Sequence, residues 1–368
     1  MAFLSGVFLI DCPASALNNA GKTEAINADN AIAVKSIQTR EGAYPYVSAQ
    51  AFRYWWRESL RDVQGWSASP IFREGKIAYT DANPLLYAED DLFGYMRAQS
   101  TKEDAKKKRE ETGLLDKATP VAEKVTLTRQ SPLKVSTLVS VAPVREITKD
   151  FGVMARQEGA PVPFEHEFYR AALQGLFSVD LGMMGRFYHI QRTGYKHLDG
   201  VRVEMAREMG LEEYDDGKAY QLSLEDRHQR LQMLMQGFAK ISGGAKQSIH
   251  YTDVSPRLVI LAVAKGGNHL FGTTVGTFPD GYKRGLPQIK LEALKETARV
   301  MRDEIVSGIY VGLTQGYLDE QRGGLIAALQ EIQEGEIYGF RKTFLGHPRE
   351  AIEAFLNELN EGKEQWLR

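Results

Sequence analysis

Apolar positions along the 368 residues recur with two periods. Short, nearly unbroken runs at 3–10, 135–142, 175–181 and 257–264 are rich in branched and aromatic residues and bounded by turn formers, which predicts buried strands. A helical period follows the aromatic turn Tyr44-Pro45-Tyr46, where Pro45 disfavours helical geometry at the residue before it. Ser48 is the expected N-cap. From Ala49 onward Phe52, Trp55, Trp56 and Leu60 share one side, while Arg53, Arg57 and Arg61 recur every four residues on another. Residues 222–241 predict a second amphipathic helix, with Leu231, Leu234, Met235 and Phe238 as its packing side. An acidic amphipathic helix, docked on the body, is expected from Pro348 to the end.

The expected strands lie far apart, so the natural architecture is one sheet assembled from distant pieces with two large insertions, at about 62–130 and 183–228. The first contains the charged tract TKEDAKKKREE (101–111), which cannot form a core and is expected as a mobile loop or solvated helix. The second contains the acidic turn at 212–218. No internal repeat is present.

Composition narrows the class. At 43% hydrophobic content the chain can bury a sizeable core as one elaborated domain or two. A lone Cys12 excludes an internal disulfide and fits a reducing cytoplasm. No apolar run is long enough to span a bilayer, so no membrane role is expected. The formal net charge of −2 argues against a generally basic nucleic-acid coat, so any such affinity must come from local patches. Residues 97–149 carry a balance of +5 and residues 204–226 one of −6, a separation that suits either a polyanion groove or ordinary subunit contacts.

Candidate chemistry is mostly phosphate-directed. Residues 16–23, from Ala16 to Gly21-Lys22-Thr23, resemble a P-loop after a strand. However, Ala16 stands where the first glycine belongs and no clear helix follows, which favours a polar connecting loop over an NTPase. In GGAKQS (243–248) the glycines permit close backbone approach, and Lys246 and Gln247 can reach a phosphate. The alternative is a helix C-cap and turn. KGGN (265–268) is expected to end a strand in a hairpin turn. The Arg53, Arg57 and Arg61 stripe beside a helix N-terminus suits phosphates, yet equally fits a core helix with solvated arginines. The seven histidines show no metal-binding spacing, cysteine pairs are absent, and no carboxylate pair is picked out for acid/base work. No catalytic residue, metal or cofactor is expected.

The ordered set FLSGVFLIDCPASALNNAG, NAIAVKSIQ, YPYVSAQAFRYWWR, DLFGYMRA, SPLKVSTLVSVAPV, FEHEFYRAALQGLFSVDL and GGAKQSIHYTDVSPRLVILAV closely resembles the CRISPR-associated Cascade backbone subunit of the type I-B kind, the DevR family of the RAMP superfamily. The resemblance covers nearly the whole chain and implies an α+β fold shaped like a hand. An RRM/ferredoxin-like palm would comprise residues 1–61, 131–182 and 229–345, with helical fingers at 62–130, a β-hairpin thumb at 183–228 and a C-terminal helix at 346–368. The aromatic signature of RRM sheets is missing, so recognition should rest on backbone and shape.

The same resemblance implies a non-enzymatic subunit that binds the guide crRNA, polymerises head-to-tail along it with other Cascade subunits, and presents it to target DNA. Implied RNA-binding residues are Asn18, Asn19 and Lys22 in the first loop, then Lys35, Arg40, Ser48, Gln50, Arg53, Arg57 and Arg61. Gly243, Gly244, Lys246 and Gln247 form the glycine loop, while Met183, Met184 and Arg186, with Arg192 and Lys196 nearby, belong to the expected thumb. Met183 and Met184 fit either a wedge between bases or core packing. Related type III subunits cut target RNA with an aspartate after the first strand. Asp29 lies in that region, but the type I-B resemblance implies binding without cleavage. The alternatives are a type III-like target-RNA nuclease and a protein-interaction or regulatory module.

Overall fold

A computed structural model describes residues 1–23, 30–74, 76–98, 111, 113, 117–121, 125–154, 160–190, 196–335 and 342–368. The first stretch contains β1 (Ala2–Ser15), β2 (Asn19–Thr23), β3 (Asn30–Val34), β4 (Ser36–Thr39), β5 (Gly42–Val47) and helix α1 (Ala49–Leu60). Next come β6 (Ile71–Glu74), β7 (Ile77–Thr80), α2 (Ala88–Phe93), β8 (Tyr95–Ala98) and β9 (Thr126–Arg129). The central strands β10 (Leu133–Val135), β11 (Leu138–Ser140), β12 (Thr148–Met154) and β13 (Val162–Asp180) follow. After them lie β14 (Arg186–Tyr188), α3 (Gly200–Glu208), β15 (Glu212–Tyr214), β16 (Ala219–Gln221), α4 (Leu224–Ala239) and the short α5 (Gln247–His250). The chain ends with β17 (Leu258–Lys265), β18 (Val275–Thr277), β19 (Pro287–Ile289), α6 (Leu291–Val300), β20 (Ile309–Leu313), α7 (Asp319–Glu334), β21 (Thr343–Gly346) and α8 (Pro348–Leu367).

The main sheet runs β21-β20-β17-β1-β13-β11-β5-β4, so β1 sits centrally, antiparallel to β13 and β17. Alternation along β1 explains why two layers cover it. Leu4, Phe8, Ile10 and Cys12 face one core with α1, α4 and α8, whereas Val7 and Leu9 face another with α6 and α7. Both faces of β1 and β17 are therefore dry, and neither offers a stacking platform.

On the first face, the ring of Phe8 stacks on Phe52 at 4.9 Å, and Trp56 meets Phe238 at 4.7 Å. Each of these rings is fully buried, a contribution of about 1.5–3 kcal/mol apiece. Gly6 and Gly175 make room for them, since a Cβ at either would overlap Phe177 or Phe8.

The helix expected at 222–241 is α4, and the C-terminal helix is α8, opened by a capping box between His347 and Glu350. Ser48 caps α1, its hydroxyl accepting from the Ala51 amide. Strand 257–264 matches β17, whereas 135–142 splits into β10 and β11 around Ser136 and Thr137. The run at 175–181 is only the end of β13, whose first half pairs with β12 and β3 rather than β1. KGGN ends β17 as expected but makes no hairpin: β18 pairs with β19 alone. The P-loop-like tract becomes β2, antiparallel to β3, with the residues after Thr23 outside the described set.

Within the expected thumb, the described residues of 183–228 include the hairpin β15–β16, extended by β14 into the small sheet β14-β16-β15, together with α3, which is bonded to the first insertion. Arg202 of α3 donates to the carbonyls of Asp81 and Ala82, and the Tyr95 hydroxyl donates to the carbonyl of His197. Buried charge ties this unit to α2, β9 and α4, where Asp91 accepts from Arg129, Arg230 and the Gly185 amide. A further exposed strand pair is β12 with the first half of β13. Phe151, Val153, Met154 and Val162 stand about half exposed there. Arg192 and most of the 101–111 tract lie outside the described residues.

Candidate nucleic-acid interface

Three segments distant in sequence meet at the β1–β2 loop. The Leu17 carbonyl accepts from the Ala245 amide at 3.3 Å, joining this loop to the glycine loop. Asn18 Oδ1 accepts from the Ser48 amide at 3.0 Å, and its carbonyl accepts from the Lys35 amide at 3.0 Å. Asn18 thus ties the α1 start, the Lys35 segment and, through Leu17, residues 243–247 into one surface.

The glycine loop has its shape for identifiable reasons. Gly243 and Gly244 adopt φ of +149° and +97°, and a Cβ on them would overlap Trp55, or Leu17 and Gln247. Gln247 Nε2 donates to the carbonyls of Gly243 and Thr252, pinning the loop from inside. Lys246 and Tyr251, bracketing α5, hold left-handed backbone at φ 53° and 46°. Such conformations cost non-glycine residues about 1–3 kcal/mol. Tyr251 is nevertheless 91% exposed, on the rim of a cleft shared with Gly243, Gln247 and Thr252.

The root of the exposed hairpin closes one side. The rings of His166 and His250 lie 5.6 Å apart, Phe168 meets His250 at 5.5 Å, and Asp150 stands 3.6 Å from His166. Glu167 accepts from the Val34 amide, tying hairpin to β3. Partial burial lowers the Lys246 ammonium, against Asp150. Burial and Lys246 lower His166, while burial, His166 and Lys246 lower His250.

The implied binding residues therefore divide. Asn18, Lys35, Ser48, Gly243, Gly244, Lys246 and Gln247 come together, half-buried, with Gln50 exposed in the first turn of α1. Asn19 and Lys22 are exposed on β2, and Arg40 on the β4–β5 turn.

Within the arginine stripe of α1, Arg53 and Arg57 are engaged by neighbouring segments, whereas Arg61 is exposed. Arg53 donates to the carbonyls of Leu133 and Phe93 and to Ser131, and burial with Arg57 alongside pushes it down to about 10. Arg57 pairs with the buried Glu89 at 3.7 Å, and Arg61 with Glu58 at 3.2 Å. Met184 is fully buried and resolves as core; Met183 is half-buried, its carbonyl accepting from Arg129. Arg186 is buried too, donating to Gln221 and to the carbonyls of Gly182 and Arg368.

Sequence reasoning missed Tyr251, His166, Phe168 and His250. The only cue was that IHYTD directly follows the glycine loop. Asp29 lies outside the described residues. Among the described residues no group of three His, Cys, Asp or Glu could hold a metal ion, and no helix is long and apolar enough to cross a membrane.

Fold and surface together define a mixed α+β protein with a large two-faced sheet and a surface where the β1–β2 loop, the start of α1 and the glycine loop meet. The chain belongs to the family described as CRISPR-associated negative auto-regulator DevR/Csa2, whose model matches residues 8–284. A solved chain of a CRISPR RNA-guided surveillance complex is similar in fold, at TM-score 0.50 and 11% identity over 97% of this chain and 99% of that one. A second, from such a complex described as pre-nicking, gives a TM-score of 0.48 and 12% identity over 97% and 99%. No curated protein matches the sequence.

Proposed function

We propose that this protein is a crRNA-binding backbone subunit of a type I-B CRISPR surveillance complex, polymerising along the guide and presenting it for pairing with target DNA. The observation that carries the reading is the joining of Leu17, Asn18, Lys35, Ser48 and the glycine loop by hydrogen bonds of the backbone and of the Asn18 side chain in a member of the DevR/Csa2 family. Such a surface offers Lys35, Lys246 and loop amides to phosphates without reading bases. Sequence recognition is then left to base pairing.

The strand order β17-β1-β13-β11, with α1 and α4 on one face, supports an RRM-like palm. Residues 62–130 with 183–228 serve as fingers, and the exposed β12–β13 hairpin as thumb. Copies line up head-to-tail, an open heterologous assembly. The protein binds without cleaving and works in the cytoplasm.

Co-expression with the CRISPR array and partner subunits, followed by sequencing of the bound RNA, tests the reading. A discrete population with repeat-derived ends is expected. Heterogeneous RNA, or none from folded protein, would overturn it. The family description favours one second reading, a regulatory module. RNA-free protein that lowers expression of its own operon would support that alternative.

A further inference from the structure

Strands β18 and β19 form a hairpin whose base is anchored in the second core by Val275 and Ile289, both 3% exposed. Its tip, residues 278–286, is closed by its own backbone. The Phe278 amide donates to the Leu286 carbonyl at 3.1 Å, and the Gly285 amide donates to the Phe278 carbonyl at 3.1 Å. Gly281 and Gly285 supply the left-handed corners, at φ +71° and +84°.

At this fixed apex Tyr282 is 94% exposed. The Lys283 ammonium lies 5.4 Å from the Phe278 ring centroid and 5.8 Å from that of Tyr282, with Arg284 exposed beside it. Asp280 is the one acid within 278–286. The ring contributes little packing to the fold, yet the turn beneath it is well bonded and the cation already sits against two aromatic faces.

The tip is braced from outside the hairpin by the β11 segment, since a Cβ at Gly285 would lie 3.9 Å from the Cβ of Ala142. We infer that residues 278–286 form a second contact for single-stranded nucleic acid. Tyr282 stacks on a base, while Lys283 and Arg284 neutralise phosphates on either side of it. Base stacking on tyrosine tolerates any sequence, as a guide-binding subunit requires. The inference rests on the RNA-binding reading above.

The test uses assembled complex carrying guide RNA with 5-iodouridine at successive positions, irradiated and analysed for crosslinked peptides. Crosslinks to Tyr282 are expected at defined nucleotides. Tyr282→Ala should weaken RNA binding roughly five- to hundredfold, and Tyr282→Trp should restore it. Lys283→Ala with Arg284→Ala should reduce the salt slope by about 1.4, near 0.7 per phosphate. Crosslinks at Lys246 or Tyr251, with Tyr282→Ala binding RNA normally, would overturn the tip assignment and leave the RNA reading intact. Wild-type complex without RNA would overturn both. Loss of subunit association with RNA affinity unchanged would assign the tip to a protein contact and overturn the proposal.

Discussion

Asn18 holds Ser48 from across the chain: its Oδ1 accepts the Ser48 amide at 3.0 Å, while its own carbonyl accepts the Lys35 amide. One asparagine thereby sets both the entry of α1 and the position of a lysine. Asn18→Asp keeps the acceptor and adds a negative charge near a helix start, so thermal stability should hold. RNA affinity should fall about tenfold through phosphate repulsion, a change of ~1.4 kcal/mol. Asn18→Ala should instead cost about 1 kcal/mol of stability by stranding the Ser48 amide. Thermal melts and RNA titrations separate the two, and an Asp variant with wild-type affinity would remove Asn18 from the interface.

Lysines and arginines should part company. Lys35→Ala with Lys246→Ala is expected to weaken binding alike for every guide sequence and to lower the salt slope by about 1.4. Arg53→Ala should cost roughly 1–3 kcal/mol of stability, because the carbonyls of Leu133 and Phe93 lose their donor. Denaturant titration beside filter binding in graded salt reads both. An Arg53 variant of native stability with a reduced slope would reverse the assignment.

Tyr251 combines left-handed backbone with 91% exposure. Replacing it with glycine should raise stability by about 1 kcal/mol as the strain disappears. RNA affinity should fall by about 1–3 kcal/mol as a stacking ring is lost. A melt and a titration moving in opposite directions is the expected pattern; unchanged affinity would mean that the ring does not touch RNA.

His197 gives the fold a pH dependence. Its Nδ1 receives the Tyr188 amide and faces an Arg129 N–H, which assigns the ring proton to Nε2. Burial first, then Arg129, pushes it down to about 3 from 6.5. The unfolded chain takes up a proton below about 6.5 and the folded one does not. Stability is therefore full above that value and falls as the pH drops, by about 2 kcal/mol at pH 5. Urea titrations from pH 7 to 5 should show this slope. His197→Gln should flatten most of it, leaving the smaller share of His166 and His250, which are lowered in the same direction.

Asp91 is buried among Arg129, Arg230 and the Gly185 amide. Asp91→Asn leaves two buried guanidinium groups without their counter-charge, a loss of about 3–5 kcal/mol. Faster proteolysis within residues 62–130 and 183–228, ahead of the central sheet, would mark the loosened unit. Uniform protection would show that the carboxylate does not hold it.

Local chemistry made much of the framework legible. Nearly unbroken apolar runs rich in branched and aromatic residues marked β1 and β17, periodicity marked α1, α4 and α8, and Ser48 announced its cap, since these features depend on neighbours within a few residues. The surface that brings Asn18, Lys35 and Lys246 together was visible only as separate polar loops. Residue type could not say which cations were free. Arg53 and Arg57 have the spacing of a binding stripe and Arg186 lies in the expected thumb, yet carbonyls and a buried carboxylate from remote segments claim them. Helix period and capping are set by bonds four residues apart, whereas the partner of a long side chain is set by whichever distant backbone the fold brings within 3 Å.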